Sequence, residues 1–429
     1  MENEKVLFSE FVRKYTKNNK TMIANTGVNT CMMISSEVAD IFTEAGEKGL
    51  TFGELYSCIE DEASRKLIED ISRKLDSLYM WKHDDKIFLE SDHTKISIDL
   101  TNKCNLRCRH CCVSANDGQR GRELTTEELM NIVDKIAWFR PNYISVSGGE
   151  PLVRSDFRQF TDKLRSFYHG KLVLMTNAVL IDNDETAQYL TKNYDAFDIS
   201  LDGYDEETCA AVRGKGVFGK VLNAVKLLQK YDARISLSMV KTKYTEKNVD
   251  RFNDLCRELN VIPMVRVLEP LGRASDNYEE FRTEGFEAPS CEMSWEQEKN
   301  VFMKKEIYKN APNIFSCKGA DYEFQIDQKG DVYPCPLFMT PEFRLFNILD
   351  EEVTKEYIEN KGYSASEGYR NFKGYMPYNF GKCSTCEKQL LCFSCAGSVK
   401  KCAEYGSVNH ICDKYGKYYD LYWENYGTV

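Results

Sequence analysis

At 429 residues, with 42% hydrophobic and 29% charged residues, 25 Gly and 10 Pro, the chain is ordinarily globular in composition, which excludes a collagen-like or wholly disordered protein and implies about two to four domains. A formal charge of -10, from 57 Lys+Arg against 67 Asp+Glu, disfavours a polyanionic partner, so no nucleic acid is expected. No apolar run approaches the roughly 18 residues of a spanning helix and no signal-peptide pattern opens the chain, so it reads as cytoplasmic without a membrane partner; 17 Cys in that compartment point to metal or redox chemistry rather than disulfides.

Residues 1–92 hold no clustered cysteines and read as a winged-helix-like module. Thr21 to Thr26 and Thr30 to Ile34 flank Gly27-Val28-Asn29 as a hairpin. Ser35-Ser36-Glu37 offers N-cap chemistry for a helix through Val38, Ile41 and Phe42. Helical spacing from Ala63 to Leu78 places Leu67, Ile71, Leu75 and Leu78 on one face, and Trp81 to Glu90, turning at Asp84-Asp85, reads as the wing.

Residues 93–273 alternate short apolar strands with amphipathic helices. The strands are Ile96 to Leu100, Tyr143 to Val146, Leu172 to Met175, Ala196 to Leu201, Ile235 to Val240 and Pro263 to Leu268; helices include Thr126 to Phe139, Asp156 to Tyr168, Phe218 to Tyr231 and Glu246 to Leu259. Six such units predict an α/β fold, a partial (β/α)6 TIM-like barrel with its site at the C-terminal strand ends. Residues 274–316 read as a polar linker with a helix at Trp295 to Tyr308. Residues 317–429 form a Cys-rich domain in which Met339 to Lys382 is an insertion between two cysteine groups.

Immediately after the first barrel strand comes Cys104-x3-Cys108-x2-Cys111. Three thiolates so spaced can wrap three corners of a cuboidal 4Fe-4S cluster, and an iron left without a protein ligand can chelate a small molecule. A three-Cys zinc site is the alternative.

With Gly148-Gly149-Glu150-Pro151 after the second strand, the segment from Lys95 to about Arg273 resembles the radical S-adenosylmethionine enzymes. The resemblance implies that the methionine amino and carboxylate groups bind the open iron of a cluster on Cys104, Cys108 and Cys111, whose reduction cleaves a carbon-sulfur bond to give a 5'-deoxyadenosyl radical. It also implies that Gly148 and Gly149 let the backbone approach the ligand and that Glu150 accepts a hydrogen bond from its ammonium. Asn177 and, at the end of the fourth strand, Ser200 and Asp202 become contacts to ribose and methionine groups, and Arg213 a fork for the carboxylate. His110 lies near adenine in this arrangement; a surface imidazole is the alternative, as solvated loop positions are for Asp202 and Arg213.

The second cysteine set runs Cys317, twelve residues, Gly330, four residues, Cys335, then Cys383-x2-Cys386-x5-Cys392-x2-Cys395 and Cys412. It resembles the SPASM extension with its two auxiliary 4Fe-4S clusters, although that pattern has x3 where this chain has x2 before Cys395. The resemblance assigns Cys317, Cys335 and Cys395 to the first auxiliary cluster and Cys383, Cys386, Cys392 and Cys412 to the second. Cys402 competes with Cys412, Cys291 is the nearest candidate fourth ligand of the first cluster, and a zinc ribbon is the alternative for Cys383 to Cys395.

Residues 1–92 carry 12 Lys+Arg against 18 Asp+Glu, which argues against DNA binding. The module resembles the leader-recognition element of enzymes that modify ribosomally made peptides, which bind a leader as an added strand; Thr30 to Ile34 is the expected edge, and a packing or dimerisation domain the alternative. The reading is a radical maturase of a precursor peptide, of the sactipeptide and ranthipeptide kind, using three 4Fe-4S clusters, S-adenosylmethionine and an electron donor such as flavodoxin or ferredoxin. It would join a peptide Cys to a carbon as a thioether. Carbon-carbon or carbon-oxygen crosslinking and epimerisation are the alternatives on the same scaffold, and an iron-sulfur winged-helix transcriptional sensor is the alternative of another class.

Overall fold

The structure is a computed structural model describing residues 2–25, 30–82, 94–117, 122–282, 317–376, 378–386, 395–404, 412 and 423. Of these, 94–282 and 318–372 form one compact unit, and 2–82, Cys317 and the residues from Lys373 onward form the other. The Gly27-Val28-Asn29 turn, the wing at 83–90, the helix at Trp295 to Tyr308, Cys291, Cys392 and the Cys402 side chain lie outside the described residues.

The N-terminal part begins with an antiparallel sheet, β1 (Val12–Lys17), β2 (Lys20–Asn25) and β3 (Thr30–Ser35), followed by α1 (Ser36–Glu47), α2 (Phe52–Ser57) and α3 (Glu62–Ser77). The β2–β3 pair is the expected hairpin, and Ser35 is the expected N-cap, its Oγ accepting from the Val38 N–H at 3.3 Å. Sequence reasoning missed β1. It is joined to β2 by Asn18 and Asn19, both in the left-handed region that a two-residue hairpin turn demands, with φ of 53° and 59°. One expectation is corrected: Leu67 is 51% exposed because α3 turns Ile68, Ile71 and Leu75 inward. Thr30 to Ile34 falls in β3, which among the described residues pairs only with β2 and so is an edge of the sheet, although Cys31 to Ile34 are at most 2% exposed; β1 is the other and more exposed edge.

Trp81 belongs to the core rather than to a wing. Its ring lies 4.6 Å from Phe8, 5.2 Å from Phe42 and 5.1 Å from Phe52, and its indole N–H donates to the Ser72 carbonyl at 2.9 Å. Aromatic packing plus a satisfied polar tip lets so large a side chain be buried.

The second unit is built on one nine-stranded sheet. Six parallel strands, β4 (Lys95–Asp99), β5 (Tyr143–Ser147), β6 (Lys171–Thr176), β7 (Ala196–Ser200), β8 (Ile235–Lys241) and β9 (Ile262–Val267), lie side by side in chain order, as the sequence predicts. Helices α4 (Thr126–Ile136), α5 (Phe157–Arg165), α6 (Asp184–Asn193), α7 (Glu206–Arg213), α8 (Val217–Gln229) and α9 (Val249–Glu258) fill the crossovers. Alternation divides the strand faces: Ile96, Ile98, Ile144, Val146, Leu172, Leu174, Phe197, Ile199, Leu237 and Met239 are buried, while the opposite face carries a Ser97–Ser145 hydroxyl contact of 2.7 Å and Arg266 bonded to Asp198 and Ser238.

Three further strands, β10 (Glu323–Ile326), β11 (Asp331–Tyr333) and β12 (Phe346–Asn347), extend this sheet from β4, with β10 parallel to β4 and the next two antiparallel. Gly330, at φ 85°, makes the β10–β11 turn and explains the glycine four residues short of Cys335. Met339 to Lys382 is therefore no simple insertion: it contains β12, and Tyr363 packs on Phe346 and Phe324 with ring centroids 5.6 and 5.7 Å apart.

Trp81→Ala removes the hub of the N-terminal core and is expected to cost about 3–5 kcal/mol. Amide hydrogen exchange in β2 and β3 reads the loss; unchanged protection there would contradict this account of the core.

Candidate active site

The three-cysteine loop leaves β4 and is folded by its own backbone and one asparagine. Asn116, in the left-handed region at φ 67°, accepts from the Cys104 N–H at 2.9 Å through Oδ1 and donates through Nδ2 to the Cys104 and Leu106 carbonyls. Sequence reasoning passed over it, although an Asn soon after a cysteine loop is a residue type suited to positive φ and to bonding local backbone.

The Gly148-Gly149 pair follows β5 and meets this loop directly. Gly149 N–H donates to the Thr101 carbonyl at 2.7 Å and Glu150 N–H to the Lys103 carbonyl at 2.9 Å. A Cβ on Gly148 would sit 2.5 Å from the Thr101 oxygen, and one on Gly149 2.3 Å from the Lys103 oxygen. The glycines thus serve first to pack two strand exits against each other.

Glu150 is wholly buried. Its Oε1 accepts from Thr176 Oγ1 at 2.8 Å and from the Leu152 N–H, and its Oε2 accepts from the Asn177 N–H at 2.8 Å. Burial pushes its carboxyl up to about 6 despite these donors. Asn177 in turn donates through Nδ2 to Asn105 Oδ1 at 2.8 Å and lies 3.7 Å from the Cys104 sulfur.

Beyond β7, Asp202 is wholly buried and accepts from Arg213 Nε at 2.5 Å, His110 Nε2 at 3.0 Å and the Val240 N–H at 2.6 Å. Burial would raise its carboxyl, but Arg213 and His110 outweigh it and hold the group below the usual carboxylate range. Asp202 and Arg213 are therefore not solvated loop residues, and His110, with a 5% exposed side chain, is no surface imidazole. Its Nδ1 is buried without a hydrogen-bond partner. Ser200, at the end of β7, is half-buried.

Each of the three sulfurs meets an N–H: Leu106 N at 3.3 Å on Cys104, Arg213 Nη1 at 3.8 Å on Cys108, and Ala115 N at 3.4 Å on Cys111. Burial pushes the Cys104 thiol up to about 11, with Glu150, Cys108 and Cys111 adding to the rise; burial also raises Cys108, against the pull of Arg213 and Arg273. Three soft donors in a shared field, ringed by N–H groups and two buried guanidiniums, fit an iron-sulfur cluster, whose sulfurs are commonly hydrogen-bonded. Among the described residues no three His, Cys, Asp or Glu side chains close in as a single metal ion would require.

Of the remaining cysteines, Cys335 is buried just after β11 in the barrel unit. Cys317, Cys383, Cys386, Cys395 and Cys412 belong to the other unit, where the Cys386 N–H bonds the Cys383 carbonyl at 3.1 Å in a tight turn.

Gly149→Ala should lower the iron retained after anaerobic reconstitution by up to about four atoms per chain. Gly219→Ala, whose Cβ meets open space, should leave it unchanged. An iron assay showing equal loss in both variants would contradict the close-packing argument.

Residues 98–256 match the Radical SAM superfamily. The chain is 28% identical over 306 residues to the mycofactocin maturase MftC of Mycolicibacterium smegmatis, covering 67% of this chain and 74% of that protein. Its fold is similar to that of Streptococcus suis SuiB bound to precursor peptide SuiA, with a TM-score of 0.53 at 14% identity over 91% of this chain and 95% of SuiB. It is similar also to anSMEcpe with bound AdoMet, with a TM-score of 0.51 at 19% identity over 70% and 88% of the two chains. The matched segment runs from β4 into α9 and so contains the cysteine loop, Glu150, Asp202 and Arg213, and residues 98–256 of this chain are a radical SAM domain.

Proposed function

We propose that this chain is a radical SAM maturase that modifies a ribosomally synthesised precursor peptide, forming a thioether between a peptide Cys and a carbon. The radical chemistry rests on one observation, the meeting of the three-thiol loop with Gly148-Gly149-Glu150 at adjacent exits of a parallel sheet. The peptide substrate is supported by likeness to a mycofactocin maturase and to the fold of SuiB with SuiA.

A 4Fe-4S cluster held by Cys104, Cys108 and Cys111 would, with S-adenosylmethionine, supply a 5'-deoxyadenosyl radical. Glu150 uses three of its roughly four acceptor positions on Thr176, Leu152 and Asn177, which leaves one for an ammonium group. Arg213, anchored through Nε by Asp202, keeps further N–H groups for a carboxylate. His110, fixed by the same Asp202, brings a buried Nδ1 to whatever heterocycle packs beside the loop. Water is kept from this layer by the complete burial of Glu150 and Asp202.

In the same reading Cys317, Cys335 and Cys395 hold a first auxiliary cluster and Cys383, Cys386, Cys392 and Cys412 a second, serving as electron acceptor or as an anchor for the substrate thiolate. Residues 1–92 recognise the leader, 93–273 carry the radical chemistry, 274–316 bridge, and 317–429 form the SPASM domain. A flavodoxin or ferredoxin supplies the electron. Product mass separates the chemistries, since each crosslink loses two hydrogens and an epimer loses none.

Replacing Cys104, Cys108 and Cys111 together with Ala should remove about four irons and abolish 5'-deoxyadenosine formation from S-adenosylmethionine under reduction. Continued reductive cleavage by that variant would overturn the assignment.

A further inference from the structure

The chain's return from the last barrel strand grips the cysteine loop at several points. Gly272, Arg273 and Ala274 follow β9 by a few residues. Gly272 holds φ 55°, and a Cβ there would lie 2.4 Å from the Cys112 carbonyl oxygen, so the backbone itself touches the loop. The Ala274 N–H donates to the Cys111 carbonyl at 3.3 Å. Arg273, only 8% exposed, sends Nη1 to the Cys108 carbonyl at 2.7 Å and Nη2 to the Ala115 carbonyl at 2.5 Å and to the Asp117 carboxylate at 3.2 Å. One planar guanidinium therefore bridges two carbonyls seven positions apart, one of them on a proposed ligand, which a compact ammonium would match less well.

The segment is itself firmly seated. Ala274 and Phe281 share a buried apolar knot with Val212 and Leu268, and the Val212 carbonyl accepts from the Arg109 N–H at 3.2 Å. Asn277 Nδ2 donates to the Arg109 carbonyl at 2.8 Å, and the Arg109 guanidinium lies over the Phe281 ring at 4.9 Å.

We propose that Gly272-Arg273-Ala274 is the clamp of the three-cysteine loop, in which the Ala274 N–H holds the Cys111 carbonyl and Arg273 is a positioning residue that fixes the Cys108 carbonyl and, through the Ala115 carbonyl, the far end of the loop for the group the thiols hold. The proposal rests on the cluster site at Cys104, Cys108 and Cys111. Groups that orient metal ligands from behind typically govern about 10- to 100-fold in metal affinity or activity, and the clamp predicts effects on the cluster rather than on general stability.

The test uses the full-length, anaerobically reconstituted protein with an iron chelator as probe. Arg273→Met should lose about four irons roughly 10- to 100-fold faster than the wild type. Its reduced electron paramagnetic resonance signal should broaden, kcat for uncoupled S-adenosylmethionine cleavage should fall, and KM should stay within about twofold, as expected when positioning rather than uniform binding is lost. Arg273→Lys should recover part of the chelator resistance. If circular dichroism shows that Arg273→Met does not fold, Arg273→Lys decides, since it keeps the charge but has no planar fork to bond both carbonyls at once; it should lose iron faster than the wild type. Unchanged iron loss and an unchanged signal in the folded variant overturn the clamp. A wild type that holds iron but fails to cleave S-adenosylmethionine would sink the radical reading while leaving the clamp standing, so the two failures are distinguishable.

Discussion

Two backbone hydrogen bonds, from Gly149 N–H to the Thr101 carbonyl and from Glu150 N–H to the Lys103 carbonyl, join the exits of β4 and β5 with no space for a side chain between them. The cysteine loop begins at Thr101 and the acidic residue of the site ends the glycine pair, so this contact sets the position of one against the other. Parallel strands carried by rigid crossovers supply the frame, because exits of adjacent parallel strands lie at the same end of the sheet. Glycine at 148 and 149 is thus required by backbone packing as much as by any ligand.

A second level of order is electrostatic. Asp202 is buried with three donors, two of them on side chains that reach the cysteine loop from different directions, His110 within it and Arg213 from the end of α7. An uncompensated buried carboxylate would cost several kcal/mol. Pairing it with two cationic or donor groups makes it instead the fixed point that orients both, and Arg213 carries that order to the Cys108 sulfur. Glu150 is held in the same manner from the β6 exit by Thr176 and Asn177. The exits of β4 through β7 are consequently one connected network.

The sequence made the six barrel strands plain because parallel strands buried by helices read as apolar runs bounded by polar turns. The cysteine loop and the glycine pair were legible for a different reason: their chemistry demands particular residues at fixed spacing. What stayed hidden depends on distance along the chain. Strands β10 to β12 are four, three and two residues long, and β10, which carries the other two, joins β4 from more than 200 positions away, so no local period marks them. Strand β1 carries Arg13, Lys14 and Lys17 in place of an apolar alternation, and only Asn18-Asn19 announces it. Leu67 and Ile68 are adjacent and equally apolar, and the choice between them was made by the packing of α3. Asp202 looks in sequence like a loop acid; its burial follows from partners at positions 110, 213 and 240.

In the proposed reaction Cys104, Cys108 and Cys111 hold a cluster that leaves one iron for a small molecule at these strand exits. Electron-nuclear double resonance on the reduced protein, with S-adenosylmethionine labelled with nitrogen-15 at its amino group, tests it most directly. A nitrogen-15 coupling to the cluster that vanishes in the Cys104, Cys108 and Cys111 triple variant is the result predicted. A reduced cluster of wild-type protein that shows no such coupling with the labelled compound in saturating excess would contradict it.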